Sequence, residues 1–361
     1  MNAAMDRQSL FAGTRSVAQA LQFDSARLKT YLSGKLEGFA GPLKIEQFKG
    51  GQSNPTYRLE TRDARYVLRR KPPGPLLPSA HAIEREYRVT AALHRSGFPV
   101  PRPLILCEDS TVIGTAFYLM EHVEGRVFWE PHAPGLPAAE RRALFDSLNE
   151  TIARLHSFDP LALGLGDFGR PEGYVSRQIK RWSEQYRASQ TQKIDEMERL
   201  MEWLPQVAPT HSQAALIHGD YRLDNCIIHA KEPHVVAVLD WELSTIGDPM
   251  ADFTYHLMQW HMPENSDGGG VGSLKGHESD APGLPSITDY IEGYCARRGL
   301  SAIPELNVYL AYNFFRLAAI FQGIAGRVRD GTAANPHAAM MERQVRPMAA
   351  KAWEFAKEAR A

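Results

Sequence analysis

Asp220, Asn225 and Asp240 are three oxygen-bearing side chains at spacings that suit phosphoryl transfer. The first two stand five positions apart in His218-Gly219-Asp220-Tyr221-Arg222-Leu223-Asp224-Asn225, and the third opens Asp240-Trp241-Glu242. Moving a phosphoryl group asks little covalent work of a protein. It needs a carboxylate near the attacking hydroxyl and oxygen ligands that hold Mg2+ against the phosphates. Asp220 can supply that carboxylate, with Asn225 and Asp240 as the metal ligands. An Asp and an Asn five apart also occur in ordinary polar turns. Asp240, in register behind a strand-like pair, is what argues against that reading.

Upstream, Gly50-Gly51-Gln52-Ser53-Asn54 joins two strand-like segments. Without a Cβ, Gly50 and Gly51 would let the backbone approach phosphate oxygens, and Ser53 and Asn54 would add donors. Such turns are common without function, so position gives this one its weight. Tyr174, Arg177, Gln178, Arg181 and Trp182 form a helical stripe that suits an anionic substrate, a carboxylate or a coenzyme A phosphate, and equally an amphipathic packing face. Glu242 joins Arg177, Arg181 and Trp182 as a candidate substrate contact; it reads equally as a residue behind the metal or as a surface acid. Asp248 and Asp252 suit bonds to backbone amides near the Asp220 loop, or a helix cap.

The elements that must position these residues follow from pattern. Ile45 and Phe48 lead into the glycines, then Thr56, Tyr57 and Leu59, then Tyr66-Val67-Leu68, which predicts strands. Prolines at 72 to 78 break the chain before a helix over residues 81–95. Strands are expected again at 104–106 and 117–120. A helix over 139–157 opens a mainly helical region that holds one hairpin, 226–228 with 235–239. Residues 264–286, rich in Gly, Ser, Asp and Pro, read as a mobile surface insertion. Helices resume near 286, with Tyr309, Tyr312, Phe315 and Leu317 in the core. The expected division is a first lobe of residues 1–123 and a second of 124–361, and the expected class is α+β.

With 361 residues the chain exceeds the usual single-domain size. Its 41 basic and 42 acidic residues leave a net charge of −1, which gives no bulk drive toward nucleic acid or an anionic membrane. Three scattered cysteines fit neither a disulfide framework nor a thiolate zinc site. No signal-like start and no uninterrupted apolar run of about 20 residues is seen. A soluble, cytoplasmic protein is the expectation.

The His-Gly-Asp-x-x-x-x-Asn element and the following Asp-Trp-Glu resemble the aminoglycoside phosphotransferase and choline kinase families, relatives of protein kinases. Residues 50–57, Tyr66-Val67-Leu68-Arg69-Arg70-Lys71-Pro72-Pro73-Gly74 and Gly247-Asp248-Pro249-Met250-Ala251-Asp252 are similar to the kinase-like domains associated with acyl-CoA dehydrogenases. The resemblance runs from about residue 40 to 330. It implies a protein-kinase-like two-lobe fold, with a small antiparallel-sheet lobe carrying one main helix and a larger helical lobe. It also implies ATP and Mg2+ as cofactors, a small-molecule hydroxyl as acceptor, and a functional link to an acyl-CoA dehydrogenase. His218 would then brace the loop. A basic residue on the strand after the glycines would grip the phosphates, steadied by a glutamate from the next helix. Arg69 fits, where many kinases place lysine, and Lys71 on the same strand face is its rival. Glu86 is the better partner and Glu84 the alternative. Residues 120–123 match the connector that bonds adenine through its backbone, which makes Glu121 and Val123 candidate nucleotide contacts. A kinase-like binding module without turnover is the alternative reading. A protein kinase is disfavoured because no Ala-Pro-Glu segment follows Asp240.

Overall fold

The computed structural model describes residues 7–50, 54–74, 81–210, 213–263, 271–277, 279–331 and 338–360. Within 7–121, helix α1 (Arg7–Phe11), strand β1 (Thr14–Arg15) and helix α2 (Ser25–Ser33) precede β2 (Lys44–Phe48), β3 (Thr56–Glu60) and β4 (Arg65–Arg70). Helix α3 (Ile83–Arg95), β5 (Pro103–Cys107) and β6 (Phe117–Glu121) follow. The six strands form one antiparallel sheet in the order β1-β2-β3-β4-β6-β5. Alternation explains β3: Tyr57 and Leu59 are buried, while Thr56, Arg58 and Glu60 are half-buried. On one side Tyr57, Leu59, Leu68, Phe117 and Leu119 pack with Leu28 and Leu32 of α2. On the other, Val67, Tyr118 and Met120 pack with Ile83 of α3. Helix α3 has Glu84 and Glu86 in its first turn and His94 and Arg95 in its last, which matches the sign of its dipole.

Further along lie α4 (Ala138–Leu155), α5 (Tyr174–Ser189), α6 (Asp195–Val207) and β7 (Ala215–Ile217). A 3-10 turn, Leu223–Asn225, leads into the hairpin β8 (Cys226–Ile228) and β9 (Val235–Val238). After it come β10 (Thr245–Gly247), paired with β7, and helices α7 (Pro249–Leu257), α8 (Ile287–Arg298), α9 (Leu306–Arg329) and α10 (Ala338–Glu358).

The chain divides into two compact units. The first comprises residues 1–130, 163–165 and 223–244, so the hairpin groups with the six-stranded sheet although it lies far beyond residue 123. In this unit Arg126 forms a bridge to Ile228, with Arg126 N–H to Ile228 O at 2.7 Å and the reverse bond at 2.8 Å. Gly125 is needed there, because a Cβ would strike Ile227 and the Ile228 carbonyl. The second unit holds residues 131–162, 166–222 and 245–361.

Tyr309, Tyr312, Phe315 and Leu317 are buried as expected. Their helix, α9, is long and apolar enough to cross a membrane by length and composition, yet 89% of its most apolar window is buried inside the protein. Of the stretch expected to be a mobile insertion, 264–270 and 278 lie outside the described residues. Of the remainder, Val271, Leu274 and Ala281 are buried and Leu274 N–H donates to Gln259 O at 2.8 Å, while Lys275, Gly276, Asp280 and Pro282 are exposed. Gly283, at φ 93°, sits against Ala138 where any side chain would clash.

Candidate active site

Arg69 lies on the central strand β4, opposite Thr56 of β3 and Tyr118 of β6. Its Nε is 2.7 Å from Glu86 Oε2, and its Nη2 is 2.5 Å from Asp240 Oδ1 and 3.5 Å from Glu242 Oε2. Arg69 and Glu86 are 7% and 1% exposed, so the pair is shielded from solvent. Burial alone would weaken the guanidinium charge, but Asp240 and Glu86 outweigh it and hold Arg69 more firmly protonated than usual. Glu86 also accepts from Asn54 Nδ2 at 2.7 Å and from the Tyr118 hydroxyl at 3.2 Å. The side-chain Oδ1 of Asn54 lies 2.9 Å from His81 Nδ1. The side chain of Asn54 is thus engaged within this cluster. Lys71 pairs separately with Glu84 at 3.0 Å, at a half-exposed position. The two strand cations therefore take one helix glutamate each, and the buried pair is Arg69 with Glu86.

Asn225 ends the 3-10 turn before β8, and its carbonyl accepts from Leu239 N–H at 2.8 Å. Asn225 and Asp240 therefore stand at the same open end of the hairpin. Asp240 adopts a left-handed backbone, φ 65° and ψ 57°, a conformation that carboxamide and carboxylate residues tolerate better than most. Of the glycine-rich turn, Gly51 and Ser53 lie outside the described residues. Gly50 packs so closely on the Trp129 indole that a Cβ could not fit. Glu121 N–H donates to Arg102 O at 3.0 Å, and its side chain accepts from Arg102 N–H at 2.8 Å, which braces the end of β6. Val123 is half-buried after it.

Asp220 belongs to the second unit. Its Oδ1 accepts from the Tyr255 hydroxyl at 2.6 Å and lies 3.1 Å from Arg222 Nε. Helix α7 holds the loop. Asp248 caps it by accepting from Met250 N–H at 2.8 Å, with its other oxygen on the Tyr309 hydroxyl at 2.8 Å. Asp252, one turn in, accepts from His218 N–H at 2.8 Å and Gly219 N–H at 2.7 Å. Burial opposes its charge, but bonds led by that from His156 Nε2 at 3.1 Å keep the carboxyl below its ordinary range. His256 Nδ1 lies 3.2 Å from the Tyr221 carbonyl. Positions 252, 255 and 256 of one helix thus fix loop residues 218 to 221. The buried His218 accepts Asp220 N–H on Nδ1 at 3.2 Å, the bracing role expected of it. Arg316 of α9 donates to Gly219 O at 3.0 Å and lies 5.1 Å from the Tyr255 ring centre.

The α5 stripe divides. Trp182 is buried, with its Nε1 donating to Gln178 at 3.1 Å, so it serves packing. Arg181 is exposed over the Trp182 ring, and half-buried Arg177 donates to Arg170 O at 2.7 Å. Sequence reasoning did not find Tyr255, Arg316, His81 or Tyr118. For Tyr255 a signal existed, since it stands three residues, one helical turn, after Asp252.

Residues 44–283 match the sequence model of the phosphotransferase enzyme family. The chain belongs to this family. It is 44% identical over 351 residues to acyl-CoA dehydrogenase family member 11 of Gallus gallus, which covers 96% of this chain but 45% of that protein. The chain spans less than half the length of the curated relatives it matches. A crystal structure from Ralstonia eutropha JMP134, provisionally assigned as an aminoglycoside phosphotransferase, is 47% identical. It has a TM-score of 0.83 and covers 93% of this chain and 99% of that one. Spectinomycin phosphotransferase APH(9)-Ia, crystallised with ADP and spectinomycin, shares the fold at TM-score 0.59 and 12% identity, covering 93% and 99%. The fold is the α+β protein-kinase-like one of family phosphotransferases.

Proposed function

We propose that the chain is an ATP-dependent phosphotransferase acting on a hydroxyl of a small molecule. The observation that carries this is the buried Arg69, held by Glu86 and reaching Asp240 at 2.5 Å, because it joins a phosphate anchor to a candidate metal ligand within one unit. The donor chemistry fits Mg2+ and a nucleotide: Asn225 and Asp240 offer hard oxygen ligands, and Arg69 is a permanent cation able to bind phosphate at two points. Bound Mg-ATP supplies the phosphoryl group and neutralises its charge. Gly50, Gly51, Ser53 and Asn54 would line the phosphates, and Glu121 and Val123 the base. Asp220, fixed by Tyr255 and Arg222, would orient the acceptor hydroxyl and take its proton. Alignment of acceptor and donor then does most of the catalytic work.

For the acceptor we favour a hydroxy acid or hydroxyacyl-CoA, met by Arg177 and Arg181; of the other two candidates from the sequence, Trp182 is buried in packing and Glu242 stands beside Arg69. The names of the relatives support, as part of this reading, a functional link to an acyl-CoA dehydrogenase. The second reading, a module that binds nucleotide or metabolite without turnover, is favoured by the same Arg69–Asp240 pair, since the guanidinium engages the oxygen a metal would use. ADP release with Mg2+ over a panel of hydroxy acids and hydroxyacyl-CoAs separates the two. Acceptor-dependent release that Asp220→Ala abolishes supports the enzyme; tight nucleotide binding with no release for any acceptor supports the module.

A further inference from the structure

At the far end of the β8–β9 hairpin, away from Asn225 and Asp240 along the strands, lie His229, Glu232 and His234. We propose that these three residues form a binding site for a borderline-soft divalent cation of the Zn2+ type. This site is separate from the one proposed for Mg2+ and does not depend on the phosphotransferase reading.

The geometry follows from pairing. Ile228 and Val235 are opposite each other in the ladder, and His229 N–H donates to His234 O at 2.9 Å, so the two histidines are the next facing pair. Facing residues of an antiparallel pair put their side chains on the same side, about 5 Å apart at Cβ. The imidazoles accordingly stack, with centres 4.9 Å apart and planes 12° from parallel. Glu232 folds back from the turn, where Pro233 restricts the backbone, and its Oε2 lies 3.3 Å from His234 Nδ1. One ligand atom from each of the three lies within 4.8 Å of the others. The backbone beneath is fixed, because Arg126 donates to His229 O at 3.0 Å and to Glu232 O at 3.1 Å.

Two imidazoles and one carboxylate form the open three-ligand set that binds Zn2+ and leaves a fourth position for water, at metal–ligand distances of about 2.0–2.2 Å. The ligand atoms must approach one another to reach those distances. Glu232 and His234 can do so by side-chain rotation, being 67% and 46% exposed. Nitrogen ligands favour Zn2+, Ni2+ or Cu2+ over Mg2+ and Ca2+. One local bond must change. Glu232 N–H donates to His229 Nδ1 at 3.1 Å, and a neutral imidazole has a single lone pair, so a cation on either ring nitrogen replaces that bond. The released amide is at the surface and turns to water. The Arg126 charge nearby lowers the affinity without removing a ligand. An ion here would clamp the hairpin whose other end carries Asn225 and Asp240.

The test is calorimetric titration of Zn2+ into the chelator-stripped 361-residue chain, repeated with Co2+ and followed by visible absorption. The expected result is one saturable site in the micromolar range, Co2+ bands of low coordination number, and affinity reduced at least about tenfold in both His229→Ala and His234→Ala. Mg2+ should not compete. Because His234 is exposed at a turn, His234→Arg serves as a second variant that removes the ligand while keeping a polar surface. Matching thermal melts of the metal-free proteins would show that each variant folds. No saturable binding below about 100 μM Zn2+, or binding that both His234 variants retain, overturns the proposal.

Discussion

Arg69 is nearly as buried as a core leucine, and two of its carboxylate partners, Glu86 and Asp240, come from elements far apart in sequence. Arg69→Ala leaves Glu86 buried beside Asp240 with no cation, a defect of about 3–5 kcal/mol. A fall in the urea midpoint together with a weaker nucleotide Kd is the expected outcome. Arg69→Lys should recover most of the stability but less of the affinity, since a single ammonium cannot span both acids as the planar fork does. Tyr255 makes a different case. Its hydroxyl touches Asp220, while its ring packs against Arg316. Tyr255→Phe keeps the ring and removes one bond to a charged group, worth about 1.5–3 kcal/mol. Turnover with the best acceptor is expected to fall roughly 10- to 100-fold, while the KM for ATP stays within about twofold. An equal loss in both constants would remove Tyr255 from the positioning of Asp220. At this scale Asp220, Asn225 and Asp240 were picked out by motif spacing, while Arg69 and Glu86 came from the family resemblance, with Lys71 and Glu84 left as rivals. Tyr118 and His81 were not, because a tyrosine on a strand and a histidine after a proline-rich stretch carry no periodic mark.

Helix α7 shows where pattern reading ends. Every residue from Pro249 to Leu257 is buried, so the helix has no polar face and no amphipathic period, and only its Asp-Pro start betrays it. Strand β3 and helix α3 were legible for the opposite reason, since buried residues recur along each at the period of the element, while β4, buried on both faces from Val67 to Arg70, reads as a continuous apolar start flanked by turn signals. The hairpin β8–β9 was also found, although its grouping with the sheet unit rests on contacts that no local sequence signal records. Helix α7 carries its own pH dependence. Burial pushes the His256 imidazole down to about 4, with Nε2 2.8 Å from the Tyr290 hydroxyl. Its proton affinity in the fold is below that of the unfolded chain, near 6.5. Between those values the unfolded state takes up a proton that the folded state refuses. This contribution is therefore complete above about pH 6.5 and is lost as pH falls toward 4, with about 2 kcal/mol of it gone by pH 5. The melting temperature should drop between pH 7 and pH 5, and the drop should be smaller in His256→Gln. Equal drops in the two proteins would mean that His256 does not carry this term.

At the scale of the whole molecule, three cysteines act as built-in reporters. Cys107 and Cys226 belong to the first unit and Cys295 to the second, and all three are buried thiols outside any disulfide. A thiol reagent should label none of them quickly in buffer, at rates below those of an exposed thiol by about a thousandfold or more. Labelling in rising urea, followed site by site by mass spectrometry, then reads the opening of each unit separately. Rapid labelling of Cys295 in the absence of urea would show that the helical unit opens far more readily than its packing implies. The same unit contains α9, whose apolar length matches a bilayer span and which is shielded by its neighbours. Once the unit is heated past its transition, that segment meets water as a sticky hydrophobic rod, and chains will associate through it before they can refold. Heat inactivation should therefore be irreversible and dependent on scan rate, so that shelf life is set by how rarely this helix comes loose.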